Sequence, residues 1–349
     1  MSATGQPVDP PPPQPTLRGG DVVLRPWHVD DIEPARLQHD TEMAHWFGFD
    51  AVTPSAQRHG AWIEDSRVKY AAGRHTVVFA IEHRGEIAGS VDVRQRGDAV
   101  GNLSWAVYPA HRGHGVATRA VRLLIDYCFH ELGLVRVQAA VEVGNLASLR
   151  TAGRAGLRRE GVARSSETTG DRRPDFVWLA RLSSDPPPQS PEGFRGVLNA
   201  ALPMKHVITQ GLIRSDTGKI LLCELTYKRE WDLPGGIVDP LESPSQALSR
   251  EVHEELGLTL PNLGLRLVNW LPPWRGWDDA CLFVFDLGMH AESLIDSVAL
   301  EPREIRAVHW CSPVNAAAHV APYLAALLPH LLDPAGGTTY LEGGCEPGR

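Results

Sequence analysis

One stretch, Gly236 to Leu258, leaves the chain little freedom in what it can fold into. It reads Gly236, five residues, Glu242, seven residues, then Arg250-Glu251-Val252-His253-Glu254-Glu255-Leu256-Gly257-Leu258. Ser243 suits a helix N-cap, Pro244 suits the first helical position, and Gln246 completes a capping box with Ser243. Gly257 fits the left-handed residue that closes a helix. Leu248, Val252 and Leu256 recur at i, i+4 and i+8, an apolar stripe that anchors the helix to a core. Glu251, Glu254 and Glu255 fall at i, i+3 and i+4 beside that stripe and crowd one another. Like charges so placed weaken a bare helix, and a hard divalent cation that prefers oxygen ligands is the natural counter-charge. Arg250 stands four residues before Glu254 and is placed to pair with it.

These residues resemble the Nudix hydrolase signature, G-x5-E-x7-R-E-U-x-E-E-x-G-U with U apolar, and every position is met. The segment Trp231-Asp232-Leu233-Pro234-Gly235-Gly236 also resembles the family's approach to this box. The resemblance implies that the Gly235 carbonyl, Glu251, Glu254 and Glu255 coordinate Mg2+ or Mn2+. It also implies that Arg250 orients Glu251, that Glu242 ties loop to helix, and that the substrate is a nucleoside diphosphate linked to another moiety. The catalytic base varies in the family. A box glutamate, Glu301 and Glu304 are candidates. The rest of this half reads as a folded domain. Strands are expected over 206–213, 220–225 and 281–287, and a closing helix over 320–332, with Pro329 a possible early end. Trp274 and Trp277 flank Arg275 in a loop that suits either base stacking, with Asp278 or Asp279 reading the base edge, or plain packing.

The first half carries an independent signal. Leu103 to Thr118 reads as strand, Pro109, glycine-rich turn and helix, the turn being Arg112-Gly113-His114-Gly115-Val116-Ala117. A turn of this kind at a helix start aims free backbone N–H groups and the positive end of the helix dipole at one point, which suits a pyrophosphate. A P-loop is excluded because Gly-Lys followed by Ser or Thr is absent, and a dinucleotide fingerprint because Thr118 stands where the third glycine belongs. A strand follows with apolar Val135, Val137, Ala139, Val141 and Val143, then a short helix opened by Asn145 and containing Ser148.

This arrangement resembles the GNAT acetyltransferases, in particular the subgroup that acetylates ribosomal-protein N-termini. The Leu24-Arg25-Pro26 opening, the Arg112 turn and the Asn145-x-x-Ser148 helix carry the likeness. It implies that Arg112, Gly113, His114, Gly115, Val116 and Ala117 hold the acetyl-CoA pyrophosphate. It implies further that Ala106 and Val107 pair with pantetheine and that Asn145 contacts its arm. For proton transfer, Ser148 stands in for a tyrosine that many relatives carry, and Glu142 and Asp92 are the candidate acids, since Asn102 occupies a place where relatives often have one.

A chain of 349 residues suggests two domains. The expected division is a Pro-rich disordered tail over 1–16, a GNAT domain over 17–183, a stiff Pro-rich linker over 184–197, a Nudix domain over 198–334 and a loose tail over 335–349. The fold class is α/β (α+β): a mixed GNAT β-sheet flanked by helices, then a Nudix α/β/α sandwich. From 17 to 183 there are 22 Lys and Arg against 20 Asp and Glu, and from 196 onward 11 against 19. The acidic excess thus lies with the glutamate box, and neither half is a basic nucleic-acid surface. Five cysteines without framework spacing suggest reduced thiols. No run is apolar enough to span a membrane, so the expected location is the cytoplasm. Arginine in excess of lysine, with abundant Ala, Gly and Pro, points to a GC-rich bacterial gene. The expected partners are a nucleotide-type substrate, acetyl-CoA, and an amine acceptor that is a protein N-terminus or a small molecule. The alternative is that one half, the acetyltransferase-like one before the other, is a CoA-sensing or docking module without turnover that regulates its neighbour.

Overall fold

The computed structural model describes residues 13–32, 40–48, 56–73, 76–97, 99–333 and 337–348. The chain divides into two compact units, Met1–Leu202 and Pro203–Arg349. Among the described residues no helix is long and apolar enough to cross a membrane.

The first unit is built on an eight-stranded sheet. In chain order its elements are β1 (Leu17–Gly19), β2 (Val22–Arg25), α1 (Thr41–Phe47), α2 (Ala56–Ala71), β3 (Thr76–His83), β4 (Glu86–Gln95), β5 (Val100–Val107), α3 (Val116–His130), β6 (Arg136–Glu142), α4 (Leu146–Arg154), β7 (Arg158–Ala163), β8 (Phe176–Leu182) and α5 (Pro191–Ala201). The sheet order is β1-β2-β3-β4-β5-β6-β8-β7. All neighbours are antiparallel except β5 and β6, which pair in parallel only at Val100–Asn102 with Arg136–Gln138. Past Asn102 the two strands no longer pair, and that parting opens a cleft. The main core packs Ala120, Val121, Leu124 and Cys128 of α3 onto Phe79, Ile81, Val91 and Val137 of the sheet. A second cluster, with Trp27, Met43, Ile63 and Tyr108, covers the α1 and α2 side.

The second unit is a seven-stranded sheet between helices. Its elements are β9 (His206–Ser215), β10 (Ile220–Leu225), β11 (Gly235–Ile237), α6 (Pro244–Leu256), β12 (Gly264–Leu271), β13 (Ala280–His290), β14 (Ile305–Cys311), α7 (Pro313–His319), α8 (Pro322–Leu332) and β15 (Thr339–Glu342). The order is β14-β10-β9-β13-β12-β15, with β11 paired to β9. Leu248, Val252 and Leu256 of α6 pack with Ile213, Leu221 and Leu287 on one face. Leu324, Leu327, Leu328 and Leu331 of α8 pack with Leu222, Leu282 and Leu341 on the other. Helix α8 continues past Pro329 to Leu332.

Two segments differ from the sequence expectation. Within the expected linker, Pro191–Ala201 is a helix, with Ser190 Oγ accepting the Gly193 N–H at 3.1 Å. It packs on β7, where a Cβ on Gly196 would meet the Arg158 guanidinium at 2.7 Å. The expected loose tail supplies β15, which pairs in parallel with β12 from Thr339↔Leu267 to Glu342↔Trp270. Of the tail expected over 1–16, residues 1–12 lie outside the described residues.

Helix α6 begins and ends where its caps require. Ser243 and Gln246 form the reciprocal capping box, and Gly257 sits at φ 67°. Ser243→Ala should lower the stability of the second unit by about 1 kcal/mol, read as an earlier urea midpoint for its unfolding transition.

Candidate active sites

In the first unit the parted strands frame a cleft of about 340 Å3. Trp105, Ala106 and Val107 of β5 form one wall, the Arg112–Ala117 turn closes one end, and Asn145 and Ser148 of α4 face them. Gly113 and Gly115 lie at φ 78° and 73°, a conformation costly for any residue with a Cβ. Gly115 is the N-cap of α3, and the helix ladder closes where Arg119 N–H donates to the Gly115 carbonyl at 3.2 Å. The N–H groups of the first helical turn, ahead of that bond, are the ones a helix leaves for a ligand.

Arg112 lines the cleft, but its guanidinium is bonded to the protein itself. Nε donates to the Val107 carbonyl at 3.0 Å, Nη1 to Asp40 at 2.6 Å and Glu42 at 2.8 Å, and Nη2 to Asp40 at 3.0 Å. That bond is the main reason the Asp40 carboxyl lies below its usual range. Asp40 also accepts the Met43 N–H at 2.9 Å and so caps α1, whose Met43, Trp46 and Phe47 border the cleft. The contribution of Arg112 to the expected anion position is therefore the shape of the turn.

Asn145 Oδ1 accepts the Ser148 N–H at 3.0 Å and caps α4, which sets Ser148 against the cleft. Glu142 does not join them. Arg172 holds its two oxygens at 2.8 and 3.2 Å and also donates to the His45 carbonyl. Arg172 thereby links Glu142 on β6 to α1 through the His45 carbonyl. Asp92 is buried on β4, and burial raises its pKa against the opposing Arg94 and Ser104. Asn102 accepts from Gln138 at 2.8 Å.

In the second unit the box residues gather around Arg250. Its Nη1 reaches Glu251 and Glu254, each at 3.0 Å. Its Nε and Nη2 grip Glu242 at 3.1 and 3.0 Å, and Nη2 also donates to the Ile237 carbonyl. Glu242 is drawn below its usual range mainly by Arg250, and its Oε2 accepts the Asp239 N–H. Loop and helix are thereby tied, as the sequence pattern implies. The two glycines have separate reasons. A Cβ on Gly235 would meet the Thr209 carbonyl oxygen at 2.2 Å, and one on Gly236 would meet the Glu251 carboxylate at 2.5 Å.

Glu255 is 5 % exposed and accepts the Gly235 N–H at 2.9 Å. Burial, opposed by that N–H but helped by the charges of Glu251, Glu304 and Asp232, lifts its pKa to about 8. Glu251 is likewise raised, first by burial and then by Glu254 and Glu304, against Arg250. This is a donor set of oxygens carrying more negative charge than its surroundings balance, which suits a hard divalent cation. The geometry is not yet a cage. Among the described residues no three His, Cys, Asp or Glu side chains are grouped to hold a metal, and Arg250 draws Glu251 and Glu254 to itself.

Sequence reasoning missed the support beneath this site. Asp232 accepts from Gln210 and Lys228, each at 2.6 Å, and from its neighbour Leu233 N–H at 3.0 Å. Trp231 is stacked between His309 and His319, with ring centroids 4.1 and 4.2 Å away. In the tryptophan loop, Arg275 lies over the Trp274 ring, and Asp279 is bonded to Lys205 and Trp270 Nε1. Trp277 is the more exposed ring, at 69 %.

The acetyltransferase (GNAT) domain family model matches residues 21–158, and the NUDIX domain family model matches residues 204–331. "Probable N-acetyltransferase YjcK" of Bacillus subtilis (strain 168) is 31% identical over 179 residues, 48% of this chain and 98% of that protein. The chain belongs to the GNAT acetyltransferases, and residues 204–331 match the NUDIX domain model. "8-oxo-dGTP diphosphatase" of Haemophilus influenzae is 37% identical over 62 residues, 17% of this chain and 46% of that protein. "Nucleoside triphosphatase NudI" of Escherichia coli O1:K1 / APEC is 38% identical over 80 residues, 22% of this chain and 52% of that protein. The chain thus spans about half the length of these Nudix relatives.

The raised pKa of Glu255 has a sign that can be measured. A folded pKa above the unfolded value of 4.5 means stability present at low pH and lost as pH rises toward about 8. With a chelator present, the second unit should melt lower at pH 8 than at about pH 6. Glu255→Gln should abolish most of that difference in a pH series of thermal melts, provided the Gly235 N–H keeps its acceptor.

Proposed function

We propose that the chain is a bifunctional enzyme. The first half, over residues 17–183, transfers acetyl from acetyl-CoA to an amine, which is a protein N-terminus or a small molecule. The second half, over residues 198–334, hydrolyses a nucleoside diphosphate linked to another moiety, with Mg2+ or Mn2+. The observation that carries the reading is the pairing of an N–H-rich turn on an open cleft in one half with surplus buried carboxylate charge in the other.

In the hydrolase half, Glu251, Glu254, Glu255 and the Gly235 carbonyl are the groups proposed to hold the cation. A bound divalent cation supplies charge neutralisation for the phosphate oxygens and the attacking water. Holding it would require Glu254 to turn from Arg250 toward the cation, with Arg250 kept on Glu242 and Glu251 as their orienting partner. Glu304 is preferred over Glu301 as the base, because its charge acts on both Glu251 and Glu255. Its backbone carbonyl accepts the Thr226 N–H at 2.9 Å, which fixes its loop beside β10.

In the acetyltransferase half, the amine nitrogen attacks the thioester carbon, the C–N bond forms and the C–S bond breaks. In this reading the Ser148 hydroxyl gives its proton to the departing thiolate and is restored by the proton that the amine nitrogen loses. Ala106 and Val107 offer a strand edge to pantetheine, since β5 lacks a partner on β6 beyond Asn102. The five free cysteines support a reducing, cytoplasmic setting. A second reading has one specific support. Asn102 stands where relatives often carry an acid and accepts from Gln138, which suits the acetyltransferase half to sensing CoA and controlling the other half.

Glu254→Gln should cut release of nucleotide product, in a panel of nucleotide sugars, dinucleotides and oxidised nucleotides with Mg2+, by about a hundredfold and leave acetyl transfer unchanged. Ser148→Ala should lower kcat for acetyl transfer while acetyl-CoA affinity by calorimetry stays as it was. Acetyl-CoA binding without transfer to any amine tested selects the sensor reading, and no turnover of any nucleotide removes the hydrolase assignment.

A further inference from the structure

Beside the glycine-rich turn lies a histidine pair that neither reaction uses. His83 ends β3 and His111 ends the short helical turn before Arg112. They are 4 % and 7 % exposed, and their Nδ1 atoms are 3.1 Å apart. Only one proton fits between two such nitrogens: two N–H groups would collide, and two bare lone pairs would repel. The neighbours assign it. His83 Nε2 faces Asp21 Oδ2 at 3.2 Å and donates to it, which leaves His83 Nδ1 bare. His111 Nδ1–H is then the donor, and His111 Nε2 is bare, 3.8 Å from Glu86. That nitrogen is where an added proton goes.

The charged groups around the pair come from every adjoining segment. Asp21, in the turn after β1, is also paired with Arg119 of α3 at 3.0 Å and Arg84 at 3.7 Å. Glu86 comes from β4, and His114 comes from the turn itself, its ring centroid 6.2 Å from that of His83. Burial first, then the His83 and His114 rings against the pull of Glu86, hold His111 below the usual histidine range. These surroundings favour the neutral form of His111. His111 also lines the cleft with Gly113 and Gly115.

We propose that His83 and His111 are a proton-linked part of the anion site, so that a diphosphate seated on the Arg112–Ala117 turn is bound together with one proton taken up at His111 Nε2. This rests on the reading of that turn as the diphosphate site of acetyl-CoA. A diphosphate brings negative charge beside a poorly solvated imidazole and favours its protonated form. By linkage the proton favours the diphosphate equally. Uptake stops at one, because a second proton would set N–H against N–H between the two rings. The ligand class is a diphosphate-bearing cofactor, and binding tightens as pH falls from mildly basic to mildly acidic.

The test is calorimetry of the full chain with dephospho-CoA, whose diphosphate does not titrate near neutrality and which lacks the terminal phosphate that does. Titrations in buffers of different ionisation enthalpy count the protons exchanged. Wild type should take up a fraction of a proton that grows as pH falls from 8, peaks between the free and ligand-bound pKa values of His111 and declines below them, and should bind about fivefold or more tightly at about pH 6 than at pH 8. His111→Asn keeps an amide N–H for His83 but offers no second nitrogen, and should bind with no uptake and a flat pH profile. His114→Gln, whatever its affinity, should keep the uptake per ligand bound. Binding by wild type without proton exchange overturns the proposal, as does uptake that survives in His111→Asn and vanishes in His114→Gln. If His111→Asn fails to fold, the wild-type and His114→Gln proton counts decide the matter. Absence of binding at every pH overturns the diphosphate reading of the turn, and the proposal with it.

Discussion

Arg250 sets one guanidinium against three glutamates and a backbone carbonyl. Without it, Glu242, Glu251 and Glu254 would repel on a loop and a helix that have few other bonds to each other. Charge-assisted, forked hydrogen bonds suit this task because they fix direction as well as distance. Arg112 does the same in the other half, joining the end of β5 to the cap of α1. Both arginines stand in segments that sequence patterns associate with ligands. Both serve first to order the protein's own carboxylates, and the ligand-facing groups are then set by that order.

The residues left over are strained electrostatically. Glu255 is held in the second unit by one N–H and surrounded by like charge. A fold keeps such a group only if packing elsewhere outweighs it, and the α6 stripe of Leu248, Val252 and Leu256 supplies that packing. The first unit uses a geometric device in place of a charged one. Its sheet stops pairing after Asn102, so one strand edge and one helix start are left without partners on the same cleft.

How much of this could be read from the chain depends on how far apart the interacting residues are. The ends of α6 and its buried stripe follow from near neighbours, and both were legible, whereas the crowding of Gly235 by Thr209 and of Gly236 by Glu251 was not. The cap that Asn145 forms on Ser148 is local too. The bond between Glu142 and Arg172 was not legible, because Arg172 lies thirty positions on in a loop with no pattern. The Asp40–Arg112 bond spans a still longer separation. Strand β15 was missed because Gly-rich flanks hide a segment whose parallel partner, β12, lies far back in the chain. Helix α5 is different, since its signal was present. Ser190-Pro191 repeats the Ser243-Pro244 opening of α6, but the proline run before it dominated the reading.

That helix alters where the chain can be divided. Residues after the proline run are not spare tether. Gly193 is pressed so closely to the Pro187 carbonyl that a Cβ there would come within 2.0 Å, and Arg158 reaches both Gly196 and Asp185. Only Leu202 to Lys205 separates the end of α5 from the start of β9. A protease site or fusion junction inserted at 190 would strip a capped helix from the edge strand it covers and leave β7 bare, whereas one inserted after Leu202 severs no element at all.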